Sequence, residues 1–254
     1  MIPPRLFGAD FDNLFKLREK RISISVDSLE LDPSADYRVF IQIEPPSVKN
    51  IIYPLVVNHE AFDLILAWHP EVLNKCPNSK KFILGTLWID LEKYVSSKNN
   101  EICFFTSDKN YTAGHHLRHQ VFNYLSSRPT INGFSIKNIM TPPRIENKND
   151  IYSNSKFSIV IENESIPNWI TEKLIDSLAT RTVPLYWGSP NVGDYFDCKG
   201  IIQVTSFPDL IEKLNTVSPD FYESSTKSIE YNYEECLKYD DLFRRVDEEL
   251  DLVV

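Results

Sequence analysis

Short apolar runs alternate along this chain with stretches in which apolar positions recur every third or fourth residue. Runs bounded by turn-forming residues predict strands, and the three-to-four spacing predicts helices, so the pattern as a whole predicts an α/β protein. The clearest unit covers residues 157–204. An apolar run at 157–161 predicts a strand, and a polar loop carrying Glu162 and Asn163 follows it. A helix is predicted to open at Thr171, Glu172 and Lys173, with Leu174, Ile175 and Leu178 on the face that docks against a sheet. A second apolar run at 183–187 predicts a strand that ends in Gly188, Ser189, Pro190 and Asn191. Strand, loop, helix and strand in this order gather polar residues at strand ends and at a helix start, which is where parallel sheets place ligand sites.

The same pattern predicts strands at 37–43, 62–68 and 81–89 and a short helix at 70–75, before a polar stretch at 96–100 that marks a boundary. A second series then begins, with a strand at 102–106 and a loop containing Gly114. A helix at 116–125 follows, with Leu117, Val121, Tyr124 and Leu125 on one face, and then a polar surface loop at 141–150. After 201–204, a helix starting at Ser206 or Phe207 is expected to run to Leu214. In the tail, 239–254, Leu242, Phe243, Val246, Leu250 and Val253 fall at the spacing of a terminal helix. The predicted organisation is two small Rossmann-like halves, 1–100 and 101–225, and a helical tail, 226–254.

Composition narrows the partners. A chain of 254 residues with 42% hydrophobic content can bury proper cores. Its net charge of −9 and lack of a basic run argue against nucleic acid or an anionic membrane as main partner. A phosphate-bearing small molecule stays open, because a few placed cations suffice to hold it. Cys76, Cys103, Cys198 and Cys236 are widely spaced with no CxxC pair, which predicts a reducing compartment, a buried thiol at Cys103 and no zinc site. Neither a signal-peptide core nor an apolar run of about 20 residues is present, so a cytoplasmic chain without a transmembrane segment is expected. The Asn-X-Ser/Thr sequences at Asn110 and Asn163 are then incidental.

The candidate chemistry lies at predicted strand ends and helix starts. Lys173 sits at a helix start, where a cation opposes the helix dipole at a cost of about 0.3–1 kcal/mol. A bound anion would offset that cost, and free backbone N–H groups there suit a diphosphate. Arg118 lies near the start of the 116–125 helix, off its apolar face, and a guanidinium can take two phosphate oxygens at once. Glu162 and Asn163 follow a strand, where a carboxylate suits ribose hydroxyls. Glu44 ends the 37–43 strand before Pro45 and Pro46, which stiffen the backbone, and could serve as a general base. Each residue also has a plainer explanation on the sequence alone. Lys173 and Arg118 are ordinary as solvated surface cations, Glu162 and Asn163 as turn residues, and Glu44 as an exposed loop carboxylate. His115, His116 and His119 include an i, i+4 pair but no acidic third ligand, and read better as partly exposed histidines. Asp10 and Asp12 form a bare DxD, a pair that can hold a metal–diphosphate but recurs widely by chance.

Taken together, Glu162-Asn163, the ten-residue step from Asn163 to Lys173, Thr171-Glu172-Lys173, and the segment from Val183 to Pro190 resemble the α-1,3/4-fucosyltransferase family, glycosyltransferase family 10. Residues 103–125, with Arg118 at the family's phosphate-binding arginine, and Ile43-Glu44-Pro45-Pro46-Ser47, similar to its catalytic-base motif, extend the likeness. The resemblance implies a GT-B fold, two Rossmann-like domains facing across a cleft, and an inverting, metal-independent transfer with no required cofactor. GDP-fucose would be the donor and a glycan hydroxyl the acceptor, in glycan biosynthesis or protein glycosylation. By the same resemblance Arg118 and Lys173 hold the diphosphate, Glu172 contacts ribose or sugar, Asn163 and Trp169 line the donor site, and Glu44 is the base. Trp169 stands where the family usually has Tyr, and Ile161 where it has an aromatic residue before Glu-Asn. The membrane stem and C-terminal cysteine motif of animal members are absent, so the chain looks more like a bacterial or viral member. Rival readings are a GT-B transferase using another nucleotide sugar, a non-catalytic nucleotide- or glycan-binding module, and a metal-dependent transferase using Asp10 and Asp12.

Overall fold

A computed structural model of the chain describes residues 21–92, 97–140, 149–152 and 154–252. Asp10, Asp12, Val253 and most of the loop expected at 141–150 lie outside them. The first half is a parallel four-stranded sheet in the order β1-β2-β3-β4, made of β1 Ile22–Val26, β2 Tyr37–Ile41, β3 Leu64–Ala67 and β4 Ser79–Lys81. Helices α1 Ile52–Asn58 and α2 Pro70–Lys75 cross between its strands. Val39, Phe40, Ile41, Ile65, Leu66 and Ala67 are buried on both faces of the sheet. This explains why these strands read as continuous apolar runs rather than alternating ones.

The second half contains β5 Asn99–Thr106, α3 Ala113–Ser126, β6 Thr130–Ile131, β7 Phe134–Met140, α4 Asn149–Tyr152, β8 Ser155–Ile161, α5 Glu172–Ala179, β9 Val183–Trp187 and β10 Ile202–Gln203. Its sheet runs β10-β9-β8-β5-β7-β6, parallel except for the short β6–β7 pair. The chain enters at β5, builds β7 on one side, then returns to build β8 on the other. The carboxyl ends of β5 and β8 are therefore a topological switch point, where the loops leaving adjacent strands diverge and open a crevice. Helices α6 Phe207–Leu214, α7 Pro219–Ser224, α8 Thr226–Cys236 and α9 Leu242–Asp251 complete the chain.

Three expectations change. The strand expected at 81–89 ends at Lys81. Alternation along the following segment is real but has another cause. Phe82 and Leu84 enter the core of the first half, and Ile83 between them enters the core beneath α5. The segment is an extended connector held between two cores. The boundary expected at residue 100 falls inside β5. The tail does not form one unit. Helix α8 packs on α5, while Leu242, Val246 and Leu250 of α9 are buried in the core of the first half. Arg245 of α9 ties the connector down, donating to the Gly85 carbonyl at 2.6 Å and to that of Ile83, with its guanidinium over the Phe82 ring. All four cysteines are free, and Cys103 is buried as expected. Among the described residues no helix is long and apolar enough to cross a membrane.

Candidate active site

The polar residues singled out in the sequence collect at the switch point and on the first-half loop opposite. Helix α5 begins there because Thr171 caps it, its hydroxyl accepting from the Lys173 amide. Beneath this cap lies Glu162, completely inaccessible to solvent. One of its oxygens accepts from the Thr171 amide at 3.1 Å. The other accepts from the Thr171 hydroxyl at 2.7 Å and stands 3.4 Å from Lys173 Nζ. Glu162 is thus not a surface ligand for ribose, as its place at a strand end suggested. It is the buried carboxylate that fixes the start of α5.

Lys173 follows from this arrangement. Its Nζ donates to Thr171 Oγ1 at 3.1 Å and lies 3.5 Å from Glu172, with the side chain 21% exposed. Burial lowers the proton affinity of Lys173, but the carboxylates of Glu172 and Glu162 outweigh it, so the ammonium is held more firmly charged than usual. The anion that offsets a cation at this helix start is therefore supplied first by the protein itself. The ammonium is fixed in position by these three partners, and the side chain that carries it is partly exposed.

Arg118 is buried rather than off the packed face of α3, with 7% exposure. Its Nε and Nη2 donate to the Ile161 carbonyl at 2.9 and 2.7 Å, and Nη2 also donates to Asn163 Oδ1 at 2.8 Å. Two-oxygen binding through the Nε edge is thereby taken up, and Nη1 is the group left to meet a ligand among the described residues. Asn163 is half-buried and also accepts from the Gly114 amide at 2.9 Å. Gly114 lets α3 approach this loop. A Cβ there would collide with the Glu162 carbonyl oxygen and stand 2.8 Å from its carbon and 2.9 Å from that of Asn163. Gly114→Ala is expected to cost about 2 kcal/mol through this backbone clash, read as a lower denaturant midpoint.

His115 is also buried, contrary to its expected exposure. It forms a capping box with Thr112, its Nδ1 accepting from the Thr112 amide at 3.2 Å. Burial first, then the charges of Arg118, Lys109, Lys173 and His119, push its pKa down to about 4. The imidazole is neutral, and these shifts mark the surroundings as electropositive. His119 lies within hydrogen-bonding distance of the Lys109 carbonyl, at 2.9 Å. Among the described residues no group of three or more His, Cys, Asp or Glu could hold a metal ion.

Trp169, expected to line the donor surface, is 3% exposed and belongs to the core of the first half, 4.6 Å from the Trp68 ring. Asn168, which the sequence did not single out, explains why. It adopts a left-handed backbone, φ 66°, which asparagine tolerates. Its amide donates to Ser189 Oγ at 3.0 Å and Asn191 Oδ1 at 2.8 Å, and its Nδ2 donates to the Trp68 carbonyl at 3.0 Å. The Ser189–Asn191 turn after β9 thus secures the loop that leads to α5, and Asn168 ties that loop to the end of β3.

Glu44 completes the crevice from the first half. It is half-buried on the loop leaving β2. Three residues on, the Ser47 amide donates across the crevice to Glu164 at 2.6 Å. Burial raises the proton affinity of the Glu44 carboxyl, and Asp27 raises it further. Lys173 lowers it, Glu172 raises it and Lys109 lowers it. The groups of the second half therefore lie within electrostatic reach of Glu44. The arrangement can present an anion-binding edge on one wall and a carboxylate on the other.

Two α/β halves, each built on a mainly parallel sheet, that meet through the loops after their strands give the GT-B fold of glycosyltransferases. The sequence model described as glycosyltransferase family 10 (fucosyltransferase), C-terminal part, matches residues 95–225, just over half of the chain, and the chain belongs to that family. Over 102 residues it is 32% identical to the alpha-(1,3)-fucosyltransferase FucT of Helicobacter pylori, a match covering 40% of this chain and 21% of that protein. Over 70 residues it is 39% identical to alpha-(1,3)-fucosyltransferase B of Drosophila melanogaster, covering 26% of this chain and 16% of that one. The matched stretches are thus about a fifth of these relatives' length or less. A crystal structure of an alpha1,3-fucosyltransferase superposes with a TM-score of 0.50 at 16% identity, over 87% of this chain and 79% of that one. At this identity the likeness concerns the fold alone.

Proposed function

We propose that this protein transfers fucose from GDP-fucose to a hydroxyl of a glycan acceptor, with inversion at the anomeric carbon. The observation that carries this reading is that the Glu44 loop meets the loop before α5, where the Ser47 amide bonds Glu164 and Lys173 lies within electrostatic reach of Glu44, on a chain of this family. In the reaction Glu44 takes the proton of the acceptor hydroxyl, and the freed oxygen bonds to the anomeric carbon. The bond from that carbon to the β-phosphate oxygen breaks, and its electron pair leaves with GDP. Nη1 of Arg118, Lys173 Nζ and the amides at the start of α5 stabilise the charge that develops on the diphosphate. Glu172, half-buried in the same turn, contacts ribose or sugar. Asn163 orients Arg118, and Glu162 and Trp169 hold the wall from behind.

The test is GDP release from GDP-fucose with a panel of lactose, N-acetyllactosamine and related acceptors, in the presence of a chelator. Acceptor-dependent release is the expected result. Release dependent on a different nucleotide sugar would replace the donor and keep the fold-level reading. GDP binding without release from any donor would make the protein a binding module.

A further inference from the structure

Asp27 follows β1 directly, with a left-handed backbone, φ 46°, and 4% exposure. Its carboxylate faces the neighbouring strand. Oδ1 accepts from the Ile43 amide and Oδ2 from the Glu44 amide, each at 2.8 Å. These are the last two amides before Pro45 and Pro46, which have none to donate. The β-ladder no longer serves them, since the preceding amide, of Gln42, is the one bonded to the Leu66 carbonyl. The Ile43 carbonyl is held as well, accepting from Trp68 Nε1 at 3.3 Å.

We propose that Asp27 is a positioning residue for Glu44: its two oxygens clamp the backbone that presents Glu44 to the crevice. The proposal rests on the reading of Glu44 as the base. Two buried amides need acceptors, but a neutral side chain could supply one at lower desolvation cost. Burial raises the proton affinity of Asp27, and the Ile43 and Glu44 amides and Lys49, which favour the carboxylate, offset part of that rise. A charge retained there acts on Glu44. The charged groups that act most on Glu44 are Asp27 after β1, Lys109 after β5, and Glu172 and Lys173 at the start of α5, and the Glu164 carboxylate sits against the same loop at Ser47. Asp27 is the one anion among them on Glu44's own side of the crevice. It strengthens the base by disfavouring its ionised form.

Asp27→Asn tests this in the full chain. Asparagine is isosteric and tolerates the left-handed backbone. It keeps one acceptor, turns a donor toward the other amide and removes the charge. The Glu44 carboxyl is titrated by carbon NMR, with its signal assigned by loss in Glu44→Gln. The kcat–pH profile with GDP-fucose and N-acetyllactosamine is recorded alongside. The proposal expects the Glu44 titration and the acid limb to move together to lower pH. It expects kcat to fall on the order of 10²-fold, the scale of a misplaced catalytic group, with GDP affinity unchanged. Asp27→Glu retains the charge but displaces the clamp, and is expected to lower kcat with a smaller move of the titration. An unmoved titration in Asp27→Asn would overturn the proposal. Should that variant not fold, undiminished kcat in Asp27→Glu would do so. A wild-type protein without turnover would defeat the reading of Glu44 as base, while the NMR titration would still decide whether Asp27 governs its carboxyl.

Discussion

Glu44→Gln is expected to lower kcat by about 10²–10⁴-fold, the range of a positioned general base, while GDP-fucose affinity stays within about threefold. The two effects separate because Glu44 stands on the loop after β2, and Arg118 and Lys173, the cations proposed to meet the diphosphate, stand on α3 and α5. Glutamine keeps the size of the side chain and the amide clamp of Asp27, so the fold should tolerate it. The pH dependence gives a second signature. A base must be ionised to act, and burial, then Asp27, raise the proton affinity of the Glu44 carboxyl. Activity should therefore be full at high pH and be lost as pH falls through a value above the ordinary carboxylate range of about 4.3. The acid limb should disappear in Glu44→Gln. Near wild-type turnover in that variant would remove Glu44 from the mechanism.

The unit from β8 to β9 was legible because its signals are local. Apolar runs define both strands, Thr171 marks the helix cap, and the strand expected at 183–187 is found at Val183–Trp187. What the sequence could not reveal was depth. Glu162, Trp169, Arg118 and His115 carry polar groups at strand ends or helix starts, the same marks that an exposed ligand residue would show. Their burial depends on what folds over them. Glu162 is covered by the Thr171 cap, Trp169 by Trp68 from the other half, and Arg118 by the Ile161 carbonyl and Asn163. The strand expected at 81–89 failed for a related reason. Period-two alternation reports two different faces, and here the faces belong to two cores rather than to one sheet.

Asp27 and Asn168 were missed although each left a trace. Residues 22–26 alternate as a strand should, and an acid immediately after a strand is the signal that drew attention to Glu162 and Glu44. Asn168 lies midway along the ten-residue step from Asn163 to Lys173. Its partners come from β3 and from the turn after β9, contacts that only the tertiary fold creates.

Lys173 is the residue whose removal should do most damage to donor binding, and its burial shapes the experiment. Lys173→Ala removes the cation from two carboxylates, one of them the fully buried Glu162. Glu162 keeps the amide and hydroxyl of Thr171 but loses its counter-charge, and breaking a buried pair in this way costs about 3–5 kcal/mol. Weak GDP binding by this variant could therefore reflect a loosened helix start as much as a lost phosphate contact. Pairing Lys173→Met with Glu162→Gln resolves the two. Glutamine keeps an oxygen for Thr171 and buries no charge, and methionine fills the space left by the lysine stem. The double variant is expected to recover most of the thermal stability lost in Lys173→Ala. It should still bind GDP on the order of 10–100-fold more weakly than wild type, the equivalent of one charge-assisted hydrogen bond of about 1.5–3 kcal/mol. Calorimetric titration of GDP alongside thermal unfolding reads both quantities. Stability and affinity recovering together would make Lys173 a structural counter-ion to Glu162, leaving the diphosphate to Arg118 and the amides at the start of α5.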